Sequence, residues 1–154
     1  MKHILATFLF VLVVTSGFAQ TNSTDPVAGV RQACFNYIDT FYKADTTLAY
    51  QSIHPTLQKR GFSFDEKSGS YSKQLEMPFP ALIRLAKTWN KDGKRANNSS
   101  PRAVDVFEVA DKTAMAKVTA VWGIDYLHLV NENGRWMIVN VLWQSPPKSL
   151  QALK

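Results

Sequence analysis

The chain has 154 residues, with 18 Lys and Arg against 12 Asp and Glu, and a single cysteine. Its net charge of +6 is scattered, and no basic stripe interleaved with aromatic residues is present, so the composition does not support nucleic-acid binding. The lone Cys34 excludes an intramolecular disulfide, and we expect it to be a small buried hydrophobic residue of a domain that folds by packing.

Residues 1–19 have the composition of a secretory signal peptide. A short positive start at Lys2 precedes an apolar run over 4–14 and a small-residue site at Ala19. This order predicts cleavage after Ala19 and export, either to the periplasm or into the medium. The apolar run is shorter than the roughly 20 residues of a membrane span, so no membrane association is expected after cleavage.

The first half of the mature chain is predicted to be helical. Asp25 and Pro26 are typical of a helix start, and apolar residues then recur every three or four positions as far as Tyr42. A second, short helix begins at Asp45 or Thr46 and is expected to end at His54-Pro55. The sequence predicts a loop over 57–76, a third helix over 81–89 and a polar connector over 90–101.

The second half is predicted to form strands. Asn133-Gly134 is the strongest signal, because both residues tolerate the positive φ angles of a tight hairpin turn. The runs on its two sides and two earlier runs give four consecutive antiparallel strands, over 103–109, 113–122, 124–130 and 135–143.

Helices followed by a twisted antiparallel sheet predict an α+β fold. The first helix is expected to pack across the concave face of the sheet and to leave an apolar cup. We expect one domain over 26–145, between a disordered stretch at 20–25 and a flexible tail at 146–154.

Three segments carry a resemblance to a known family. They are the helix over 34–42 with Ala44-Asp45, the corner Ile53-His54-Pro55, and the strand pair from Asp125 to Asn140, with Asp125-Tyr126-Leu127-His128-Leu129 and Asn133-Gly134-Arg135-Trp136. Through them nearly the whole mature chain resembles the NTF2-like superfamily and, within it, the small bacterial proteins described as putative lumazine-binding. The resemblance implies a cone-shaped α+β fold with a ligand cup, and an outer sheet face of the kind that carries dimer contacts in many members.

Three candidate residues lie on one predicted strand. Alternation places Tyr126 and His128 on one face and Asp125 on the other, with the leucines. If the leucine face lines the cup, Asp125 is a buried carboxylate in the setting of a general acid or base. If the other face does, Tyr126 and His128 provide hydrogen-bond donors beside an aromatic wall. In a third interpretation, the polar side chains of this strand belong to a cross-strand polar pair on the outer face of the sheet.

Further ligand-binding candidates come from other parts of the chain. The resemblance implies that His54 lies near the mouth of the cup, where it could act as a donor or base. Alternatively, His54 is a helix-terminal residue that binds backbone carbonyls. Arg60 could reach a ligand carboxylate or phosphate, or remain solvated. Tyr37 lies on the apolar stripe of the first helix, and Trp136 and Trp143 offer flat surfaces for an aromatic ligand.

These features favour an exported binding module for a small, partly aromatic molecule, assembled as a homodimer. The alternatives are an isomerase- or cyclase-type enzyme with Asp125 or His54 as the general base, and an accessory protein that uses its sheet face as an interface. An enzyme is the less favoured interpretation. No cofactor is expected, and His54 and His128 are too far apart in sequence to indicate a metal site.

Overall fold

The structure is a computed structural model that describes residues 25–146. The predicted signal peptide, the polar stretch before Asp25 and the predicted tail beyond Pro146 lie outside the described residues.

The described residues form three helices, and side-chain caps begin the first two. The helices are α1 (Pro26–Tyr42), α2 (Thr46–Ser52) and α3 (Phe79–Trp89). The carboxylates of Asp25 and Asp45 each accept a hydrogen bond of 2.9 Å from the backbone N–H two residues ahead, which caps α1 and α2. The second helix ends before the proline, although two residues earlier than the sequence indicated.

Six strands form the main sheet, in the order β4-β1-β8-β7-β6-β5. Two short strands, β2 and β3, form a separate hairpin. The strand bounds are β1 (Ile53–Phe62), β2 (Phe64–Asp65), β3 (Ser70–Tyr71), β4 (Leu75–Glu76), β5 (Arg102–Val109), β6 (Thr113–Ala120), β7 (Gly123–Glu132) and β8 (Arg135–Gln144).

The sheet is mixed. The four predicted strands pair antiparallel, as expected, and β1, which the sequence did not predict, adds a parallel pairing. Strand β1 runs parallel to β8, with Gly61 opposite Trp143, whereas the other paired strands are antiparallel. The sequence prediction of a loop over 57–76 was wrong for the part that forms β1. Its inward positions include Lys59 and Gly61, so the apolar alternation that normally reveals a strand is missing.

The hairpin between β7 and β8 confirms the predicted turn. Asn133 and Gly134 have φ angles of 53° and 80°, as a type I′ turn requires at its two central positions. The side chain of Asn131 accepts a hydrogen bond from the Gly134 N–H at 3.1 Å.

One face of the sheet, called the inner face, is covered by the helices. Helix α1 packs across β5, β6 and β8, and the inward residues of β6 are mostly alanines, which allow close approach. Gly29 of α1 sits directly against the Trp136 ring, since a Cβ at this glycine would lie 2.8 Å from Trp136 Cδ1. The opposite face of the sheet, called the outer face, carries Tyr126 and His128.

Candidate functional site

An apolar pocket lies on the inner face, between α1, α3 and the strands β1 and β8. Its volume is about 130 Å³. An apolar cavity of about 150 Å³ is large enough to hold a benzene ring, so this pocket encloses roughly one aromatic ring. The lining residues are five aromatic side chains, two flexible apolar ones and one lysine: Tyr37, Phe41, Trp89, Trp122, Trp143, Met77, Leu85 and Lys59.

The aromatic walls of the pocket hold one another in place. Trp122, in the turn between β6 and β7, makes edge-to-face contacts with Phe41, Tyr37 and Trp89 at centroid distances of 5.2, 6.2 and 5.4 Å. Tyr42 stacks on the far side of Trp89 with an interplanar angle of 3°. Such pairs contribute beyond their buried area, so the walls are preorganised for a flat ligand.

Lys59 places an amine at this aromatic pocket. Strand β1 points it inward, and its side chain is only 6% exposed. Its Nζ donates to Tyr37 Oη at 2.6 Å and to Asp125 Oδ1 at 3.0 Å. The same Nζ lies 5.3 Å from the centroid of the Trp143 ring, within the range of a cation–π contact.

Asp125 lies behind the lysine and outside the pocket lining. It is fully buried, and its second oxygen, Oδ2, accepts a hydrogen bond of 2.6 Å from Trp122 Nε1. The carboxylate is therefore engaged by Lys59 on one oxygen and by Trp122 on the other. This arrangement positions the two pocket residues, and it gives Asp125 no direct contact with a pocket ligand.

Burial shapes the protonation of the two groups that contact the pocket. It lowers the pKa of Lys59 below its ordinary value, although the Asp125 charge and hydrogen bond oppose the shift. Burial also raises the pKa of Tyr37 well above its ordinary value, and the nearby Asp125 charge adds to this. Tyr37 therefore keeps its proton at physiological pH.

The structure decides between the two faces of the strand that carries Asp125. Asp125, Leu127 and Leu129 point to the inner face, with exposed fractions of 1% or less. Tyr126 and His128 point to the outer face, where Tyr126 is half exposed. The interpretation in which Tyr126 and His128 line the cup is therefore wrong. Asp125 is buried on the leucine face, but it is paired with Lys59 and does not itself line the pocket.

Three other candidates lie away from the pocket. His54 Nε2 is 3.5 Å from Glu132, and Arg60 binds Glu76 at 3.1 Å on the exposed side of β1. Trp136 is buried beneath α1 against Gly29. Of the predicted ligand-binding residues, the structure brings Tyr37 and Trp143 to the pocket and places Asp125 directly behind it.

Sequence reasoning missed the lysine at the centre of the site. It selected Arg60 rather than Lys59, and a displacement of one residue along a strand changes the face. Leu57, Lys59 and Gly61 stand at every second position and point inward. Because only one of them is a large apolar residue, this spacing becomes informative only once 53–62 is known to be a strand. The sequence also gave no pocket role to Trp89, which was predicted only as the last residue of the third helix, over 81–89.

A larger groove of about 340 Å³ lies at one end of β6 and β7, and His128, Met115 and Val139 are among its lining residues. It contains no buried ion pair like that of Lys59, so the aromatic pocket is the better candidate site. Among residues 25–146, no three or more His, Cys, Asp or Glu side chains come together as a metal site. Within the same range, no helix has the length and apolar character needed to cross a membrane.

Solved structures share this architecture at low sequence identity. An NTF2-like protein of unknown function from Shewanella baltica is 16% identical, with a TM-score of 0.57 over 79% of this chain and 94% of that one. A second from Methylobacillus flagellatus is 18% identical, with a TM-score of 0.57 over 81% and 95%. A third from Silicibacter pomeroyi is 15% identical, with a TM-score of 0.55 over 77% and 94%. These similarities establish the α+β NTF2-like fold.

No curated protein matches the chain in sequence. The family described as putative lumazine-binding matches residues 25–144, which include every strand and helix of the structure described above. Since this match extends over well more than half of the sequence, the chain belongs to the putative lumazine-binding family.

Proposed function

We propose that this protein is an exported binding module that holds a small aromatic molecule in the pocket between Tyr37, Lys59 and the tryptophans. The observation that carries the proposal is a buried amine at the wall of an otherwise apolar, aromatic pocket. Ligand sites typically combine apolar walls with a few polar groups that fix orientation, and this pocket has that composition.

The lysine supplies the polar contact. A Lys ammonium has three N–H donors, and here two of them meet Tyr37 and Asp125. The third is available to an acceptor atom of a ligand whose ring packs against Trp89 or Trp143. We therefore expect a planar ligand of about one ring that carries an oxygen or nitrogen acceptor.

Ligand binding is tested first by native mass spectrometry of the protein purified from its own host, where a retained small molecule appears as a stoichiometric added mass. The second test is titration with benzamide, benzoate and phenol, followed by intrinsic Trp fluorescence. We expect saturable binding of at least one of the three probes. An unliganded mass together with flat titrations for all three would contradict the proposal.

Matched variants locate the binding. Trp143 lines the pocket and Trp136 does not, so Trp143→Leu and Trp136→Leu remove the same side chain from different places. Loss of a stacking surface worth about 1 kcal/mol predicts roughly fivefold weaker probe binding for Trp143→Leu. Trp136→Leu should bind as the parent does, provided that circular dichroism shows it folded. Equal losses in the two variants would place the ligand elsewhere.

A second copy of the chain is the proposed partner. The outer face exposes Met115, Tyr126 and Leu142, each between 44% and 49% accessible, on three neighbouring strands. Exposed apolar side chains on neighbouring strands support a self-complementary interface. Sedimentation equilibrium should show a dimer that Tyr126→Lys dissociates. Tyr50→Lys, at an exposed tyrosine of α2, should leave the dimer intact, and a monomeric parent would reject this part of the proposal.

Export is tested separately at the N-terminus. The signal-like composition of residues 1–19 supports cleavage after Ala19. N-terminal sequencing of protein from a periplasmic extract should begin at Gln20. Recovery of the intact N-terminus from the cytoplasmic fraction would contradict export.

A further inference from the structure

We propose that Lys59 captures small aromatic aldehydes as a reversible imine inside the pocket. The inference rests on the proposed function, because it uses the same pocket, and it adds a covalent chemistry and a ligand class. It stands on three features of the geometry: a buried amine, neighbouring groups that can move protons, and walls that fit one ring.

The amine is placed where a bound carbonyl carbon can reach it. Lys59 lines the pocket and is 6% exposed, whereas Lys43 and Lys94, for example, are 65% and 83% exposed. Amines in apolar surroundings are less firmly protonated than solvated ones, and burial accordingly lowers the pKa of Lys59. A larger fraction of neutral amine makes a better nucleophile.

Two neighbours can handle the protons of imine formation. Asp125 Oδ1 lies 3.0 Å from Nζ and is the natural acceptor of its proton. Tyr37 Oη lies 2.6 Å from Nζ and keeps its own proton, because burial raises the pKa of this phenol well above its ordinary value. A hydrogen bond between the phenol and Asp125 also contributes to this raised pKa. When Asp125 takes up the lysine proton, the Tyr37 O–H can turn from Asp125 and donate to the carbonyl oxygen while the C–N bond forms.

The reaction is balanced without any oxidant or reductant. The ammonium of Lys59 passes a proton to Asp125, and the free amine attacks the carbonyl carbon to form a C–N bond. The carbonyl oxygen takes up protons and leaves as water when its bond to carbon breaks, so that aldehyde and amine give imine and water. Hydrolysis reverses each step, which makes the capture reversible.

The shape of the pocket selects the aldehyde. The aromatic ring fills a volume of about 130 Å³ beside Trp89 and Trp143, and its carbonyl carbon, one bond from the ring, then meets Nζ. An aldehyde presents only a hydrogen on the second side of this carbon, whereas a ketone adds a carbon group for which a one-ring pocket has little room.

The test traps the imine in the unmodified protein. Benzaldehyde and sodium cyanoborohydride are added at pH 7, and peptide mapping measures the rate at which each lysine gains a benzyl group. We expect Lys59 to be labelled at least about tenfold faster than Lys43 or Lys94, since an amine with a lowered pKa is more often neutral at this pH. Labelling of Lys59 at or below the rate of these exposed lysines would overturn the inference.

Two further measurements distinguish failure of the imine from failure of the pocket. Benzamide has the same ring but does not form an imine, so its fluorescence titration reports binding alone. If benzamide binds and Lys59 is not preferentially labelled, the imine is rejected and the binding function stands. If Lys59 is not preferentially labelled, the titrations with benzamide, benzoate and phenol are all flat and the purified protein carries no added mass, both are rejected.

Variants then assign the chemistry to its residues. Tyr37→Phe keeps the ring but removes the hydroxyl, and it should slow labelling of Lys59 while labelling of Lys43 stays unchanged. The double variant Lys59→Met with Asp125→Asn removes the amine without leaving a buried charge unpaired, and it should lose the fast labelling phase altogether. A fast phase that persists in the double variant would show that another lysine carries it.

Discussion

The Lys59 Nζ and the Asp125 Oδ1 are 3.0 Å apart, although their residues lie on strands that are not neighbours in the sheet. Strand β8 separates β1 from β7, so the lysine side chain reaches across β8 on the inner face to meet the carboxylate. The contact connects β1, which pairs parallel to β8, with β7 in the antiparallel part of the sheet. Both side chains are almost completely buried, at 6% and 0% exposure.

Removal of Lys59 alone should destabilise the protein strongly. A buried pair contributes little relative to an apolar replacement, but breaking it leaves an uncompensated charge, which costs about 3–5 kcal/mol. We therefore expect Lys59→Met to lower the free energy of unfolding by this amount in urea denaturation at pH 7.

The matched control variant also neutralises Asp125, the partner of Lys59. Asp125→Asn keeps an oxygen to accept the Trp122 N–H, so the double variant with Lys59→Met should recover much of the lost free energy. If Lys59→Met alone lowers the free energy of unfolding by less than about 1 kcal/mol, Asp125 is not held as a buried charge by Lys59.

Local signals in the sequence were sufficient for most of the fold. The cap at Asp25 and the Asn133-Gly134 turn depend on neighbouring residues, and each is found where it was predicted. The strand predicted over 113–122 forms as β6, although it ends at Ala120. Strand β1 was missed because its partner β8 lies some 80 residues later in the chain, as the pairing of Gln58 with Asn140 shows. Parallel pairing of this kind has no turn signal in the sequence.

The site was predictable only in part. Alternation separated Asp125 from Tyr126 and His128, but it could not tell which face the helices cover. The structure answers this by burying Leu127 and Leu129. Charged residues are rarely buried without a partner. The partner of Asp125 is Lys59, which lies 66 positions away in sequence and cannot be inferred from the strand of Asp125 alone.

Acid should remove the stabilisation that Asp39 provides. Burial would raise the pKa of Asp39, but hydrogen bonds from Arg102 and Lys43 outweigh it and lower the pKa below the ordinary value of about 4. The unfolded chain then binds more protons than the folded one at acidic pH. The stabilisation by Asp39 is therefore present above about pH 4, and it is lost as the pH falls toward the lowered pKa of Asp39 in the folded protein.

The measurement compares the parent with Asp39→Asn by urea unfolding at pH 7, 5 and 3. We expect a difference of about 1–2 kcal/mol at pH 7, since Arg102 is partly exposed, and a much smaller difference at pH 3. Asp111→Asn, at an exposed position in the turn between β5 and β6, should show no such trend. If the difference in the free energy of unfolding between the parent and Asp39→Asn does not change with pH, the charged carboxylate of Asp39 is not the source of the stabilisation.

Gly29→Ala should destabilise the protein, against the usual preference of helices for alanine. Alanine in a helix interior is normally about 1 kcal/mol better than glycine. Here the added Cβ would lie 2.8 Å from Trp136 Cδ1, so α1 or the buried indole must move. Overpacking of this kind typically costs about 1–3 kcal/mol. Trp136→Val, which removes the Cδ1 and Nε1 atoms, provides the control in urea unfolding. In this background Gly29→Ala should become neutral or stabilising, and equal losses in both backgrounds would exclude the clash.

Cys34 should report global opening of the fold. The side chain is fully buried, and burial raises the pKa of its thiol to about 12, so the native protein presents neither access nor thiolate at pH 8. Reaction with a thiol reagent such as DTNB then requires unfolding of the core around α1. For a domain of ordinary stability, native labelling should be at least about a thousandfold slower than labelling in concentrated urea. If unfolding is a rapid pre-equilibrium to the reaction, Lys59→Met should accelerate native labelling by roughly two to four orders of magnitude, in proportion to the stability it loses. An unchanged rate in that variant would show that Cys34 is reached through a local opening of α1 that leaves the pair of Lys59 and Asp125 intact.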